Sequence, residues 1–201
     1  ESIRKTKSGK EIYVSIKGYP IKYKGKQLGV YAIYNDITVR KKEENKIKYL
    51  SFHDQLTDLY NRRFFEEERD RFDNSRELPI SIIVADMDGL KKINDNYGHK
   101  KGDEYLKMIA EIIENSVREE DIVARIGGDE FAILLPNASK KVASKVEKRI
   151  LTKSKDKSKK LKEPISISTG SATKNRSAES LEEVFKIADK RMYENKESKR
   201  E

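Results

Sequence analysis

Along this chain the spacing of apolar positions changes several times, and each change predicts an element. Residues 11–16, EIYVSI, and 27–38, QLGVYAIYNDIT, alternate in the two-residue period of strands. Between them, YPIKYKGK at 19–26 carries the Pro and Gly of a turn region. Three short antiparallel strands are the expectation for this part. So few strands do not bury two faces alone, and the pattern is already under way at Glu1. The reading is of a piece cut from a longer protein. From Val39 to Leu50, VRKKEENKIKYL, charge takes over, and Ile47 and Leu50 leave a thin helical stripe. A linker helix and a dimerising helix both fit, because one heptad does not establish a coiled coil.

A longer alternation of helix and strand patterns follows. QLTDLYNRRFFEEERDRF (55–72) reads as a turn and a helix, and ISIIVADMD (80–88) as a buried strand ending in acids. Leu106, Ile109, Ala110, Ile113 and Val117 make a helical stripe over 103–117. DIVARI (121–126) and EFAILLP (130–136) read as paired strands. Val142, Val146 and Ile150 predict a helix over 139–151, and PISISTGSAT (164–173) a strand. Leu181, Val184, Phe185, Ala188 and Met192 predict a last helix over 180–196. The run KSKDKSKKLKE (153–163) is expected to be a solvated loop, since like charges repel. This order predicts an α+β fold, with helices on one face of a mainly antiparallel sheet.

Composition narrows the picture. The 201 residues suit one ordinary domain and a smaller piece. There is no cysteine, which excludes a disulfide framework, a thiolate metal site and a thiol nucleophile. No apolar run reaches the roughly 18–20 residues of a membrane span, and no signal peptide opens the chain. The net charge of +9 is compatible with nucleic acid or a membrane surface. The lysines are scattered rather than interleaved with aromatics, so neither nucleic-acid binding nor membrane contact is expected.

The candidate chemistry is concentrated in IVARIGGDEFAILL (122–135), where two strand-like runs flank Gly127-Gly128 and Asp129-Glu130. A two-residue turn with positive φ would account for the glycines, and so would close approach of a ligand to the backbone. Acids at a wet hairpin tip cost little. However, Asp86 ends the neighbouring buried run, and carboxylates at adjacent strand ends can converge on a hard cation such as Mg²⁺. Beyond Asp86 the chain reads MDGLKKINDNYGHKKGD. Gly89 begins a strand-to-helix turn whose free N–H groups favour phosphate. Asn94 and Asp103 offer the donor and acceptor set that reads a purine edge. Together these describe a nucleoside triphosphate site.

At this point a family pattern comes into view. RIGGDEF resembles the signature of the GGDEF family, the diguanylate cyclases. DQLTDLYNRR (54–63), DMDGLKKINDNYGHKKGD (86–103) and ADKRMYENKESKR (188–200) resemble its opening, metal-and-guanine and closing segments. The first 38 residues resemble the C-terminal part of a PAS domain, including the DIT that joins PAS to a signalling helix. The resemblance implies a PAS fragment over 1–38, a signalling helix over 39–50 and a GGDEF domain over 51–201. That domain is expected to be a palm-like, nucleotidyl-cyclase sheet flanked by helices.

It further implies condensation of two GTP into cyclic di-GMP and two pyrophosphates by a homodimer. Asp86, Asp129 and the carbonyl of Met87 are expected to hold Mg²⁺, or Mn²⁺ in its place. Glu130, next to Asp129, would accept the 3′-hydroxyl proton. Asn94 and Asp103 would bind guanine, and His99 would line the site. The N–H groups of Gly89, Leu90 and Lys91, with Lys196 and Arg200, would meet phosphates. Arg118 and Asp121, in REED, resemble the family's RxxD product-inhibition site. A bacterial, cytoplasmic setting is implied, with membrane tethering of a longer protein open. Two positions depart from the pattern: Asp58 and Lys199 both stand where the family has glycine.

Overall fold

The computed structural model describes every residue except Lys160, Lys162, Arg200 and Glu201. The chain divides into two compact units, Glu1–Ser51 and Phe52–Glu201. In the first, β1 (Ser2–Lys5), β2 (Glu11–Tyr23) and β3 (Lys26–Asp36) form an antiparallel sheet in chain order. The expected turn region at 19–26 is narrower than its Pro and Gly content implied. β2 runs through Pro20 to Tyr23, and the chain reverses at Lys24 (φ 46°) and Gly25 (φ 79°). Both residues take the left-handed conformation that a tight hairpin turn requires. The DIT segment fastens β3 to the helix α1 (Thr38–Phe52). Asp36 Oδ1 accepts the Thr38 N–H at 2.8 Å, and Thr38 Oγ1 accepts the Tyr13 N–H at 2.9 Å.

The second unit contains β4 (Tyr60–Asn61), α2 (Arg62–Asp73), β5 (Ile80–Asp88), α3 (Leu90–Tyr97), α4 (His99–Glu114), β6 (Ile122–Arg125), β7 (Glu130–Leu135), α5 (Lys140–Ser158), β8 (Ser166–Lys174) and α6 (Leu181–Ser198). Its sheet has the order β4-β6-β7-β5-β8, antiparallel except for the two-residue parallel pairing of β4 with β6. β5 lies between β7 and β8, and its side chains are buried along almost its whole length. That is why it reads as a continuous apolar run.

The helices cover both faces of this sheet, which corrects the expectation of one covered face. Ile83, Ala85 and Met87 pack with Ile93, Ile109, Ile113, Val146 and Ile150, the contributions of α3, α4 and α5. Ile80, Ile82 and Val84 pack with Phe65, Phe72, Val184, Ala188 and Met192, from α2 and α6. The strand alternation assigns alternate residues of β5 to the two cores. Asp86 and Asp88 therefore fall in register with Ile82 and Val84, on the α6 face.

Two helix boundaries also differ from the sequence pattern. The stretch after Gly89 forms a helix of its own, α3, separated from α4 by Gly98 at φ 82°. α5 continues to Ser158, so the first half of the lysine run is helical. Ala143, Val146, Ile150 and Ser154 bury one side of that helix, and its charges occupy the remaining surface.

Candidate active site

The acidic corner is assembled by strand register. Asp86 of β5 stands opposite Glu130 of β7, and the Met87 N–H donates to the Asp129 carbonyl at 2.9 Å. Asp86, Met87, Asp129 and Glu130 thus meet at one end of the sheet, as expected from the sequence. Lys196 of α6 joins them, with Nζ 2.5 Å from Asp86 Oδ1. Asp86 is only 5% exposed. Burial pushes its carboxyl up to about 6, and the charges of Asp129 and Asp88 act in the same direction against Lys196. Among the described residues no three acidic or histidine side chains are grouped closely enough to hold a metal ion as they stand, so Asp86, Asp129 and the Met87 carbonyl would have to be completed by oxygens from outside the chain, such as phosphate or water.

Of the two uses open to the glycines, a turn with positive φ is not what the structure shows. β6 and β7 are joined by four residues, Ile126–Asp129, and neither Gly127 nor Gly128 has positive φ. The turn is closed by the Ile126 and Gly127 N–H groups, which share the Glu130 carbonyl at 2.9 and 3.3 Å. Gly127 is there for room. A Cβ on it would lie 2.4 Å from Glu130 Oε2, whereas one on Gly128 would meet nothing within 4 Å. The Glu130 carboxylate is therefore folded back over Gly127.

Gly89, Leu90 and Lys91 lead directly from β5 into α3. Gly89 takes φ 78°, which turns the chain so that the first N–H groups of α3 lack intrahelical acceptors. Asn94 lies on α3, and its Oδ1 is buried without a hydrogen-bond partner among the described residues. A Cβ on Gly102 of α4 would come within 2.0 Å of that oxygen. The glycine before Asp103 thus gives the Asn94 amide its place. Asp103 and His99 are exposed on the first turns of α4. Arg200 lies outside the described residues.

Arg118 and Asp121 are placed apart from this corner. They form the turn that precedes β6, whereas the glycines follow it. Four strand residues put about 13 Å between the two ends. Asp121 Oδ2 accepts the Arg118 N–H at 2.8 Å, while the Arg118 side chain is 63% exposed. Both line a groove of about 330 Å³, with His53, Tyr60 and Glu119 among its walls.

The structure adds residues that sequence reasoning missed. Arg125 donates to the Gly128 carbonyl at 2.7 Å and to Asp54 Oδ1 at 3.0 Å. Asp54 also accepts from the Thr57 N–H and hydroxyl, at 2.9 and 2.7 Å. Arg62 donates to the Ile126 carbonyl at 2.7 Å. The DQLTDLYNRR segment therefore holds the glycine turn at the Ile126 carbonyl directly, through Arg62, and at the Gly128 carbonyl by way of Arg125, which Asp54 fixes. The available signal was the Asp-x-x-Thr spacing, which marks a side-chain-capped turn. Asp58 in the same segment takes φ 65°. That conformation suits glycine and is tolerated by Asp, which accounts for the substitution.

Comparison with known proteins agrees with this geometry. The model of the family described as "Diguanylate cyclase, GGDEF domain" matches residues 51–201. The chain is 31% identical to the probable diguanylate cyclase DgcT of Escherichia coli over 76% of its length, covering 35% of that protein. It is 33% identical to the diguanylate cyclase DgcM of Escherichia coli over 95% of its length, covering 47% of that protein. The chain thus spans between a third and a half of these curated relatives. Among solved structures, it is similar to the coiled coil and GGDEF domain of DgcB from Caulobacter crescentus in complex with c-di-GMP. That match has TM-score 0.74 and 26% identity, and covers 81% of this chain and 89% of that one. The GGDEF domain of YfiN (TpbB) from Pseudomonas aeruginosa matches with TM-score 0.62 and 34% identity, over 71% of this chain and 92% of that one. Motif, fold and relatives converge: the chain belongs to the GGDEF diguanylate cyclase family.

Proposed function

We propose that the protein condenses two GTP molecules into cyclic di-GMP, in a divalent-cation-dependent reaction between two copies of the chain. The observation that carries this reading is the corner where Asp86, Asp129 and Glu130 meet beside Lys196. A receptor for nucleotides has no need of three carboxylates at the end of a buried strand.

The chemistry divides among the chain's own residues. Asn94 and Asp103 orient guanine, Asn94 through an amide oxygen that has no partner among the described residues. The N–H groups at the start of α3 and the Lys196 ammonium take the phosphates, and His99 lines the site. Asp86, Asp129 and the Met87 carbonyl would hold Mg²⁺ or Mn²⁺, which supplies charge stabilisation at the phosphates and lowers the pKa of a coordinated hydroxyl. Glu130 takes the proton of the 3′-hydroxyl as that oxygen bonds to the α-phosphorus of the other nucleotide. The bond from the α-phosphorus to the bridging oxygen breaks, and pyrophosphate leaves. The same exchange on the second nucleotide closes the ring. Alignment of the two nucleotides contributes by making attack effectively intramolecular.

Each chain supplies one such site, so turnover needs two copies face to face. α1 has no buried residue and exposes Val39, Ile47 and Leu50, which fits a helix that pairs between copies. Residues 1–38 fit the C-terminal part of a PAS sensor that controls this pairing. The antiparallel sheet, the DIT junction and the reach of the DgcM match into this unit support that. Arg118 and Asp121 fit a product-binding groove: guanidinium can fork onto a guanine edge or phosphate, and carboxylate accepts guanine N–H groups. No described helix is long and apolar enough to cross a membrane.

A rate series over protein concentration, with GTP and Mg²⁺, tests the scheme. Below the dimerisation constant the rate should rise more steeply than protein concentration and vanish with chelator. Progress curves of the parent should bend as product accumulates, and those of Arg118→Ala should stay straight. A rate strictly proportional to protein concentration throughout would remove the two-copy scheme.

A further inference from the structure

The end of α6 is fastened to the sheet at two points. Lys196 Nζ reaches Asp86 Oδ1 at 2.5 Å. Lys199, immediately after the helix, reaches Asp88 Oδ2 at 3.1 Å, the Ile167 carbonyl at 2.7 Å and Ser168 Oγ at 3.1 Å. Asp88 is itself fixed, accepting from Ser166 and Ser168 hydroxyls at 2.6 and 2.7 Å.

The spacings make this a matched pair of anchors. Lys196 and Lys199 are separated by about 4.5 Å along a helix axis. Asp86 and Asp88 are separated by about 6.7 Å along β5, on the same strand face. One ion pair would let the helix end roll about its contact, and the second removes that freedom. The two lysines are not equivalent. Lys199 has three acceptors, which use the three N–H donors of an ammonium. Among the described residues Lys196 has one, Asp86, and retains donors for an incoming ligand.

We infer that Lys199 is a positioning residue, which fixes the end of α6 so that Lys196 is held ready to meet the terminal phosphates of the nucleotide. This rests on the proposed role of Lys196 as a phosphate ligand. The resembled family motif usually has glycine at this position, which could not make the second anchor.

Binding of 3′-deoxy-GTP, which lacks the attacking hydroxyl, tests this without turnover, with GMP as the probe lacking terminal phosphates. Both are titrated with Mg²⁺ present, into the parent, Lys196→Met, Lys199→Met, the double variant and Lys199→Arg. Lys199→Met should weaken 3′-deoxy-GTP binding by about fivefold or more and leave GMP binding unchanged. Lys199→Arg should restore most of the loss, and the double variant should bind no more weakly than Lys196→Met alone. Unchanged 3′-deoxy-GTP binding by Lys199→Met, beside a clear loss in Lys196→Met, would overturn the positioning role alone. Equal losses for both nucleotides, or a double variant whose loss is the product of the single losses, would overturn it too. If Lys196→Met binds 3′-deoxy-GTP like the parent, the phosphate role of Lys196 fails, and the positioning role with it.

Discussion

The two glycines of the central motif have different reasons to be there, and a substitution separates them. Gly127 leaves room for the Glu130 carboxylate, which a Cβ would approach to 2.4 Å, whereas Gly128 faces open space. Gly127→Ala should retain the fold and lower kcat by about tenfold to a hundredfold, because the displaced group is the proposed base. Gly128→Ala should change stability by no more than about 0.5 kcal/mol. Any loss of turnover in Gly128→Ala then reports how closely nucleotide approaches the turn. Melting curves and initial rates of the two variants check both statements. The identity of the acidic residues was legible in the sequence because strand ends bring Asp86 and Glu130 together by simple register. The reason for Gly127 was not, since it depends on where a side chain three residues later folds. Nor was the role of Arg125, whose partner Asp54 is 71 residues away in the chain.

At the scale of elements, α6 is held against the sheet by a glycine and by a buried charge. A Cβ on Gly170 of β8 would lie 2.2 Å from the Met192 N and 2.4 Å from the Ala188 carbonyl oxygen, both backbone atoms of α6. Backbone cannot move aside as a side chain can, so Gly170→Ala should cost at least about 2 kcal/mol. It should also impair turnover, because Lys196 lies on the same helix.

The other tie is Lys174, 2% exposed, with Nζ 2.6 Å from Asp73 Oδ1. That oxygen also accepts the Leu181 N–H at 2.8 Å, at the start of α6. Burial alone would raise the Asp73 carboxyl. The hydrogen bonds from Lys174 and Leu181, with the Lys174 charge, outweigh it and hold the carboxyl below its ordinary 3.8. A depressed carboxylate contributes stability that is present above the unfolded value and lost as pH falls through the folded one. Asp73→Asn, which leaves Lys174 buried without a counter-charge, should cost about 3 kcal/mol at neutral pH. Urea unfolding should show the gap between parent and variant shrinking as pH falls below 3.8. A gap independent of pH would assign the effect to packing.

The elements themselves were largely legible. β5, β7, β8 and α6 follow their apolar runs, because burial on a regular lattice imposes a regular period. Several features were not. α5 extends into the lysine run because one buried stripe, through Ser154, suffices to continue a helix under heavy charge. The two-residue β4 has too few residues to show a period. The covering of both sheet faces follows from topology, which local spacing does not encode.

In the whole molecule, the GGDEF unit follows a small antiparallel unit along the chain, with α1 between their sheets in sequence. The GGDEF unit contains the acidic corner, the starts of α3 and α4 proposed to meet nucleotide, and the separate groove at Arg118 and Asp121. In the proposed reaction two copies of this unit act on each other's nucleotide. The central claim is that the acidic corner makes cyclic di-GMP, and the most direct test is mass-spectrometric identification of the product from GTP and Mg²⁺ at high protein concentration. The parent is compared with Asp129→Ala/Glu130→Ala protein shown by its melting curve to be folded. Cyclic di-GMP and pyrophosphate should form in a one-to-two ratio with the parent, and neither with the variant. Folded parent protein that binds GTP and dimerises yet forms no cyclic di-GMP would contradict that claim.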